Sequence, residues 1–380
     1  MKVTISVAGR FHAFYLAQQL LKRGYLKKII TSYPKFEVKK YGIPKYKVNS
    51  VIIKELMFRG WQKMPGFIKQ TYNPQYLVKE IFDKKALKKV DECDIFVGWS
   101  SNCLHSLKKA KELGAVTIVE RGSSHMLYQQ QILKEEYEKY GLPFNKTHPK
   151  VVEKELKEYK EADYISVPSK FVKKSFLDKD VSKSKLLHIP FGVDLSEFKQ
   201  IPKKDNIFRV VTVGGNLQKG THYLLQAFNE LDLPYSELMG LGKLSQEMLP
   251  FIKKYNKNIN WIGHKPQREL YKYYSQGTIY IHPSIQDGFG MVIPQSMSCG
   301  LPVITTTNTG GGDIIENGKE GFIIPIRNIN ALKEKILYFY ENPEECIRMG
   351  QAAKRKVQNG FTWDDYGERI IEEYKNILND

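Results

Sequence analysis

Along most of its length the chain alternates short apolar runs of β character with longer runs of helical periodicity. Strands that arrive one at a time between helices pair through crossovers, so this order commits the chain to parallel sheets with helices on their faces. The pattern predicts strands over residues 2–8, 29–32, 95–99, 116–120 and 164–167. Phe14, Leu16, Ala17, Leu20 and Leu21 share one side of a predicted helix over 14–23, and Val152, Leu156 and Tyr159 do so over 151–162. Ser169, after Pro168, is a candidate N-cap for the next short helix. Residues 189–206, with Pro190, Gly192 and Pro202, read as an interdomain linker. A second series then predicts strands over 208–213, 236–239, 259–262, 278–282, 303–306 and 322–324, with a helix over 222–229. The expectation is an α/β chain of two doubly wound domains in series, residues 1–195 and 206–362, whose cleft is the natural ligand site.

The 380 residues, 42% of them hydrophobic, suffice for two such domains and exclude a disordered or fibrous chain. Cys93, Cys103, Cys299 and Cys346 form no paired CxxC spacing, so neither a zinc ribbon nor a secreted disulfide framework is indicated. No apolar run reaches the roughly 18 residues of a membrane-spanning helix. The opening MKVTISVAGR alternates like a strand and is not a signal peptide, so a cytoplasmic location is expected. Charge is unevenly spread: residues 1–200 carry 38 Lys and Arg against 21 Asp and Glu, and residues 201–380 carry 21 against 20. A basic half suits a polyanion, either a nucleic-acid backbone or an anionic membrane surface; the plainer reading is solvated lysines on helix faces.

The segment running from His282 through Pro-Ser-Ile-Gln to Asp287-Gly-Phe-Gly and on to Cys299 carries the strongest chemical signal. A strand ends at His282, a loop holds Asp287, Gly288 and Gly290, and a helix begins near Met291 and runs to about Cys299. Glycines let backbone N–H groups approach a ligand, and a helix N-terminus offers unpaired donors and a positive dipole end to a phosphate. Asp287 and Gln295 would flank that anion and bond hydroxyls, as a nucleotide sugar requires. A second segment opens from a strand into Gly214-Gly215-Asn216 and places Lys219 just before a helix. It has neither Walker A nor GxGxxG spacing, and taken alone an exposed Lys there reads as solvent-facing.

Together with Pro190-Phe-Gly-Val-Asp-Leu-Ser-Glu-Phe, Glu320-Gly-Phe-Ile-Ile-Pro and Phe361-Thr-Trp, these segments resemble glycosyltransferase family 4, most strongly over residues 159–374. The resemblance implies the GT-B fold: two Rossmann-like domains facing a cleft, with a last helix over about 363–380 crossing back to the N-terminal domain. It implies retaining, metal-independent transfer from a UDP-, GDP- or ADP-linked sugar, with no further cofactor. Lys219 matches the Lys that neutralises the donor diphosphate. Asp287 matches the first Glu of the family's E-x7-E motif, with Gly288, Phe289 and Gly290 beside it, and Gln295 stands where the second Glu holds the ribose. Gly214, Gly215, Asn216, Met291 and Val292 complete the implied donor site. His125 and Arg121 fall near the family's N-domain histidine at the reacting centre, and Gly9, Arg10 and His12 where such enzymes face the acceptor. The chain departs from the pattern in its shorter Asp287, its uncharged Gln295 and the missing Arg ahead of Lys219, where Asn216 stands. A lost charge-assisted hydrogen bond would weaken donor binding by about 1–2 kcal/mol.

The sole literal Asp-x-Asp, Asp178-Lys-Asp180, ends a predicted helix away from both segments and reads as surface charge. Glu120 and Arg121 read as a pair at a strand end, and Phe361 and Trp363 as an anchor for the last helix. Over residues 51–90, Ile52, Ile53, Leu56, Met57, Phe58, Trp61, Met64, Phe67 and Ile68 are interleaved with lysines. That mixture suits either a segment resting on anionic lipid, with a glycolipid acceptor, or aromatics packed inside the domain, with a soluble glycan acceptor. Two other functions compete with sugar transfer: a non-catalytic protein that binds nucleotide or glycan, and nucleic-acid binding. No helix-turn-helix, RRM or KH signature supports the last.

Overall fold

Seven parallel strands build the first sheet: β1 (Val3–Val7), β2 (Leu26–Thr31), β3 (Val48–Ser50), β4 (Ile95–Trp99), β5 (Val116–Glu120), β6 (Tyr164–Val167) and β7 (Leu186–His188). Their order across the sheet is β3-β2-β1-β4-β5-β6-β7. The second sheet holds β8 (Phe208–Gly215), β9 (Ser236–Leu244), β10 (Ile259–Gly263), β11 (Ile279–His282), β12 (Val303–Thr306) and β13 (Gly321–Ile324), in the order β10-β9-β8-β11-β12-β13. This computed structural model describes residues 1–52, 60–61 and 73–379. Helices cover both faces, which is why β1, β4, β11 and β12 are buried along their whole length, polar Thr and Ser positions included. Ile5 lies opposite Ile29 on one side and Val97 on the other. Val210 of β8 likewise lies between Leu238 and Ile279. The chain reverses its direction of growth at β1 and at β8, and the crevice beyond the carboxyl end of such a strand is where doubly wound sheets take ligands.

The linker contains no helix or strand, yet it is firmly held. Phe191, Val193 and Phe198 are buried, and Val193 bridges to Thr362. The last helix, Trp363–Asn379, lies against the Ala13–Lys22 helix of the first domain; Trp363 stacks on Tyr15 at 4.1 Å, and Lys22 pairs with Asp364 at 2.8 Å. The Met126–Lys139 helix crosses the other way: Ile132 and Leu133 enter the core of the second domain beside Leu224 and Phe228. Ser169 does cap the Lys170–Leu177 helix, accepting from Val172 N–H at 3.1 Å, and Asp178 and Asp180 are exposed beyond its end.

Within the basic, aromatic stretch 51–90, Ile53, Leu56, Met57, Phe58, Met64, Phe67 and Ile68 lie outside the described residues. In the Gln75–Leu87 helix that follows, Val78, Phe82 and Ala86 point into the domain and Lys84 and Lys85 into solvent. That part follows the packed alternative. Among the described residues no helix is long and apolar enough to cross a membrane.

Candidate active site

The loop after β8 is shaped by close contacts that leave little choice of residue. Gly214 has φ +109°, and a Cβ there would sit 2.8 Å from Cγ of Lys219; Gly220, at φ +64°, faces the Pro283 carbonyl, 1.9 Å from where its own Cβ would be. Asn216 Oδ1 accepts from Lys219 N–H at 2.8 Å, and Thr221 Oγ1 donates to Gly214 O at 2.7 Å. The loop therefore folds back on itself and onto the segment after β11, and this carries the Lys219 ammonium to Asp287. Nζ lies 2.5 Å from Asp287 Oδ2. The same oxygen accepts from His282 Nε2 at 2.9 Å, while Asp287 N–H donates to Asn308 O. Burial alone would raise the Asp287 pKa, but the Lys219 charge and the His282 bond outweigh it and hold the carboxylate well below its usual range. Burial pushes the His282 imidazole down, so a neutral ring donates through Nε2.

The glycine loop that follows meets the first domain directly. A Cβ on Gly288 would stand 1.9 Å from Gly122 O, and Ser169 Oγ donates to Gly288 O at 2.6 Å. Gln286 Nε2 donates to Ser123 Oγ at 2.7 Å. Gly290 adopts φ +74° beside the His282 ring, and Phe289 is buried against Phe191. The expected phosphate-binding helix is Val292–Ser298, only seven residues long. Its amide supply is smaller than the sequence implies, since Ile293 N–H is taken by Gly290 O and Pro294 has none. Gln295 is buried, with Oε1 at 3.5 Å from the Tyr274 hydroxyl, a contact at the limit of hydrogen bonding.

On the facing domain, Gly9, Arg10 and His12 follow β1. His12 is buried, 3.2 Å from Glu120 Oε2, with its ring 4.1 Å from Phe191. Arg10 is exposed and donates through Nη1 to the Tyr41 hydroxyl at 3.1 Å. Through Phe191 and Phe289, the β1 loop is in van der Waals continuity with the loop that carries Asp287.

Three residues from the sequence analysis have partners that the sequence did not indicate. His125 is buried and engaged within its own domain: its Nδ1 accepts from Leu127 N–H at the start of the Met126–Lys139 helix, and its ring is packed on Tyr159 and Phe176. Arg121 does not project into the cleft. It is buried, with Nη1 at 2.9 Å from Glu155, and it donates to Ser124 O and Gln129 Oε1, so it holds its own loop. Glu120 and Arg121 consequently do not pair with each other; they turn to His12 and Glu155. Sequence reasoning missed His282 as a functional side chain. It sits five residues before Asp287 at a strand end, and only the fold makes it a partner.

Residues 194–356 match the sequence model described as Glycosyl transferases group 1. That match takes in most of the second domain and part of the linker before it. A glycosyltransferase of uncharacterized specificity from Methanocaldococcus jannaschii is 32% identical over 161 residues, 42% of this chain and 45% of its own length. Sucrose synthase 2 of Arabidopsis thaliana is 28% identical over 137 residues, 33% of this chain and 17% of the plant protein. The matched region thus spans less than half the length of these relatives. The whole chain superposes on sucrose-phosphate synthase from Thermosynechococcus elongatus with a TM-score of 0.74 at 17% identity, covering 100% of both. Anabaena HepE, solved with UDP, gives 0.70 at 16% identity over 99% of this chain and 100% of its own. The structural likenesses establish the fold as GT-B, and Lys219 and Asp287 both lie within the matched residues 194–356.

Proposed function

We propose that the chain is a retaining glycosyltransferase that moves a sugar from a nucleotide-sugar donor to a glycan or lipid-linked acceptor without a metal ion. The observation that carries this reading is the meeting of Lys219 and Asp287 at the carboxyl ends of β8 and β11, beside a glycine loop and opposite the β1 loop. A diphosphate bears more charge than one carboxylate and would displace Asp287 from the Lys219 ammonium. Asp287, still held by His282, is then free to accept from a hydroxyl of the transferred sugar. Lys219 stabilises charge as it builds on the leaving phosphate, which is the work a divalent cation would otherwise do. In a front-face displacement the bond from the anomeric carbon to the phosphate oxygen breaks as the acceptor oxygen bonds to the same face. The departing phosphate oxygen takes the acceptor proton. The bound nucleotide of HepE and the group 1 match support a nucleotide sugar as donor. The basic first half supports work at the anionic cytoplasmic face of a membrane.

Calorimetry with UDP, GDP, ADP and their sugar conjugates in EDTA tests the reading. One nucleotide is expected to bind wild type, and Lys219→Ala to weaken it at least about tenfold, the loss of one charge-assisted contact. Binding by none of them would overturn the reading. Binding without transfer or donor hydrolysis would favour a non-catalytic nucleotide-binding protein, which the neutral, buried Gln295 also fits.

A further inference from the structure

Between Arg10 and His12 stands a residue that the donor chemistry does not use. Phe11 has φ +41°, in the left-handed region that a bulky side chain avoids. Its ring lies over Gly9, where a Cβ would come within 2.6 Å of Cε2, so Gly9 is the residue that permits the arrangement. The ring is nonetheless 66% exposed. Strained backbone and an exposed aromatic ring are both unfavourable in the free protein, and neither is offset by burial in the core. The loop beneath is held at several points: Ala13 N–H donates to Arg10 O, His12 lies 3.2 Å from Glu120, and its ring packs at a tilt against Phe191. The loop projects from the carboxyl end of β1, the switch point of the first sheet and the side facing the Asp287 loop. Next to it in the chain, the exposed Arg10 donates through Nη1 to the Tyr41 hydroxyl at 3.1 Å and has further guanidinium donors.

A flat, exposed apolar ring on a loop that also carries a guanidinium matches a pyranose, whose C–H face is apolar and whose rim is hydroxyl. We propose that Phe11 is the platform on which the acceptor stacks, and that the acceptor is a saccharide at the end that enters the cleft. This rests on the transferase reading for its biological sense, but its test does not.

The test is titration of the full chain with methyl β-D-glucopyranoside, methyl β-D-galactopyranoside and methyl N-acetyl-β-D-glucosaminide by saturation-transfer NMR, with and without UDP. At least one glycoside is expected to bind wild type, with strongest transfer to its ring C–H protons. Phe11→Trp should retain binding and Phe11→Ala weaken it about tenfold, as loss of a stacked ring implies. Phe11→Gly, which removes the strain along with the ring, should lose the glycoside yet melt at or above the wild-type temperature. Equal binding to wild type and Phe11→Ala, or no glycoside binding to wild type, would overturn the platform. Calorimetric nucleotide binding, expected to be equal in all four proteins, reports separately on the donor site; its absence would count against the transferase reading, while the glycosides alone decide the role of Phe11.

Discussion

His125 has its ring between Tyr159 and Phe176, and its pKa is held down to about 4, first by burial and then by the neighbouring Arg121. An unfolded histidine titrates near 6.5, so between those values the unfolded chain takes up a proton that the folded chain refuses. The stability this provides is complete above about pH 6.5 and is lost as pH falls toward 4, to a limit of about 3 kcal/mol. His125→Asn keeps a capping side chain and removes the titration. Urea unfolding at pH 7 and pH 4.5 should find the acid loss smaller in the variant by roughly 2 kcal/mol; equal acid sensitivity would contradict the assignment. The residue also marks how far single positions were legible. Asp287 could be named from loop chemistry and Lys219 only through the family resemblance, but their bond to each other spans 68 positions and is a property of the fold. His125 sits after a strand, where ligands usually bind, and nothing in its type distinguishes a cap from a catalyst.

At the scale of elements, Gly220 ties the Lys219 loop to the strand beyond it. Alanine there would need φ +64° and would place Cβ 1.9 Å from the Pro283 carbonyl, so the backbone itself would have to move. Gly220→Ala is expected to cost roughly 2–3 kcal/mol of stability in urea unfolding and to weaken nucleotide binding by displacing Lys219. Wild-type values for both would refute the contact. The central strands were legible because they concentrate β-branched and apolar residues in short runs between helical ones: β4, β5, β6 and β12 occupy the predicted residues, and β1, β11 and β13 differ by a residue at one or both ends. The short β3 and β7 were missed. They are the two edges of the first sheet, three residues each, and Val48-Asn-Ser and Leu186-Leu-His are too short to display any period. β9 runs on to Leu244 through Gly240 and Gly242, which look like breakers in sequence. Gly240 is there because the Trp261 ring occupies the space of a Cβ, 2.0 Å from its nearest atom.

Two sheets in series suggest two independently folding units, but the connections between them argue for one. The Met126–Lys139 helix leaves the first domain and buries Ile132 and Leu133 in the core of the second. One turn on, Glu136 is fully buried; Oε1 lies 2.8 Å from Nε2 of buried His222, and Oε2 accepts from Arg327 Nε at 2.6 Å. Burial opposes ionisation of Glu136, and the bonds from His222 and Arg327 prevail and keep its pKa low. At the other side of the cleft the last helix returns to the first domain through Trp363. With straps running in both directions, wild-type protein should unfold in a single calorimetric transition. Glu136→Ala leaves the His222 ring without its partner and Arg327 with only Glu135 at 3.6 Å and the Ile132 carbonyl across the interface, a loss of about 3 kcal/mol when one member of a largely buried pair is removed. Because that loss falls on the contact between domains and not within either core, the variant should show two separated transitions, the lower one below the wild-type midpoint. A single transition shifted as a whole would mean that the linker and the last helix suffice to couple the domains, and that the Met126–Lys139 helix only adds to their stability.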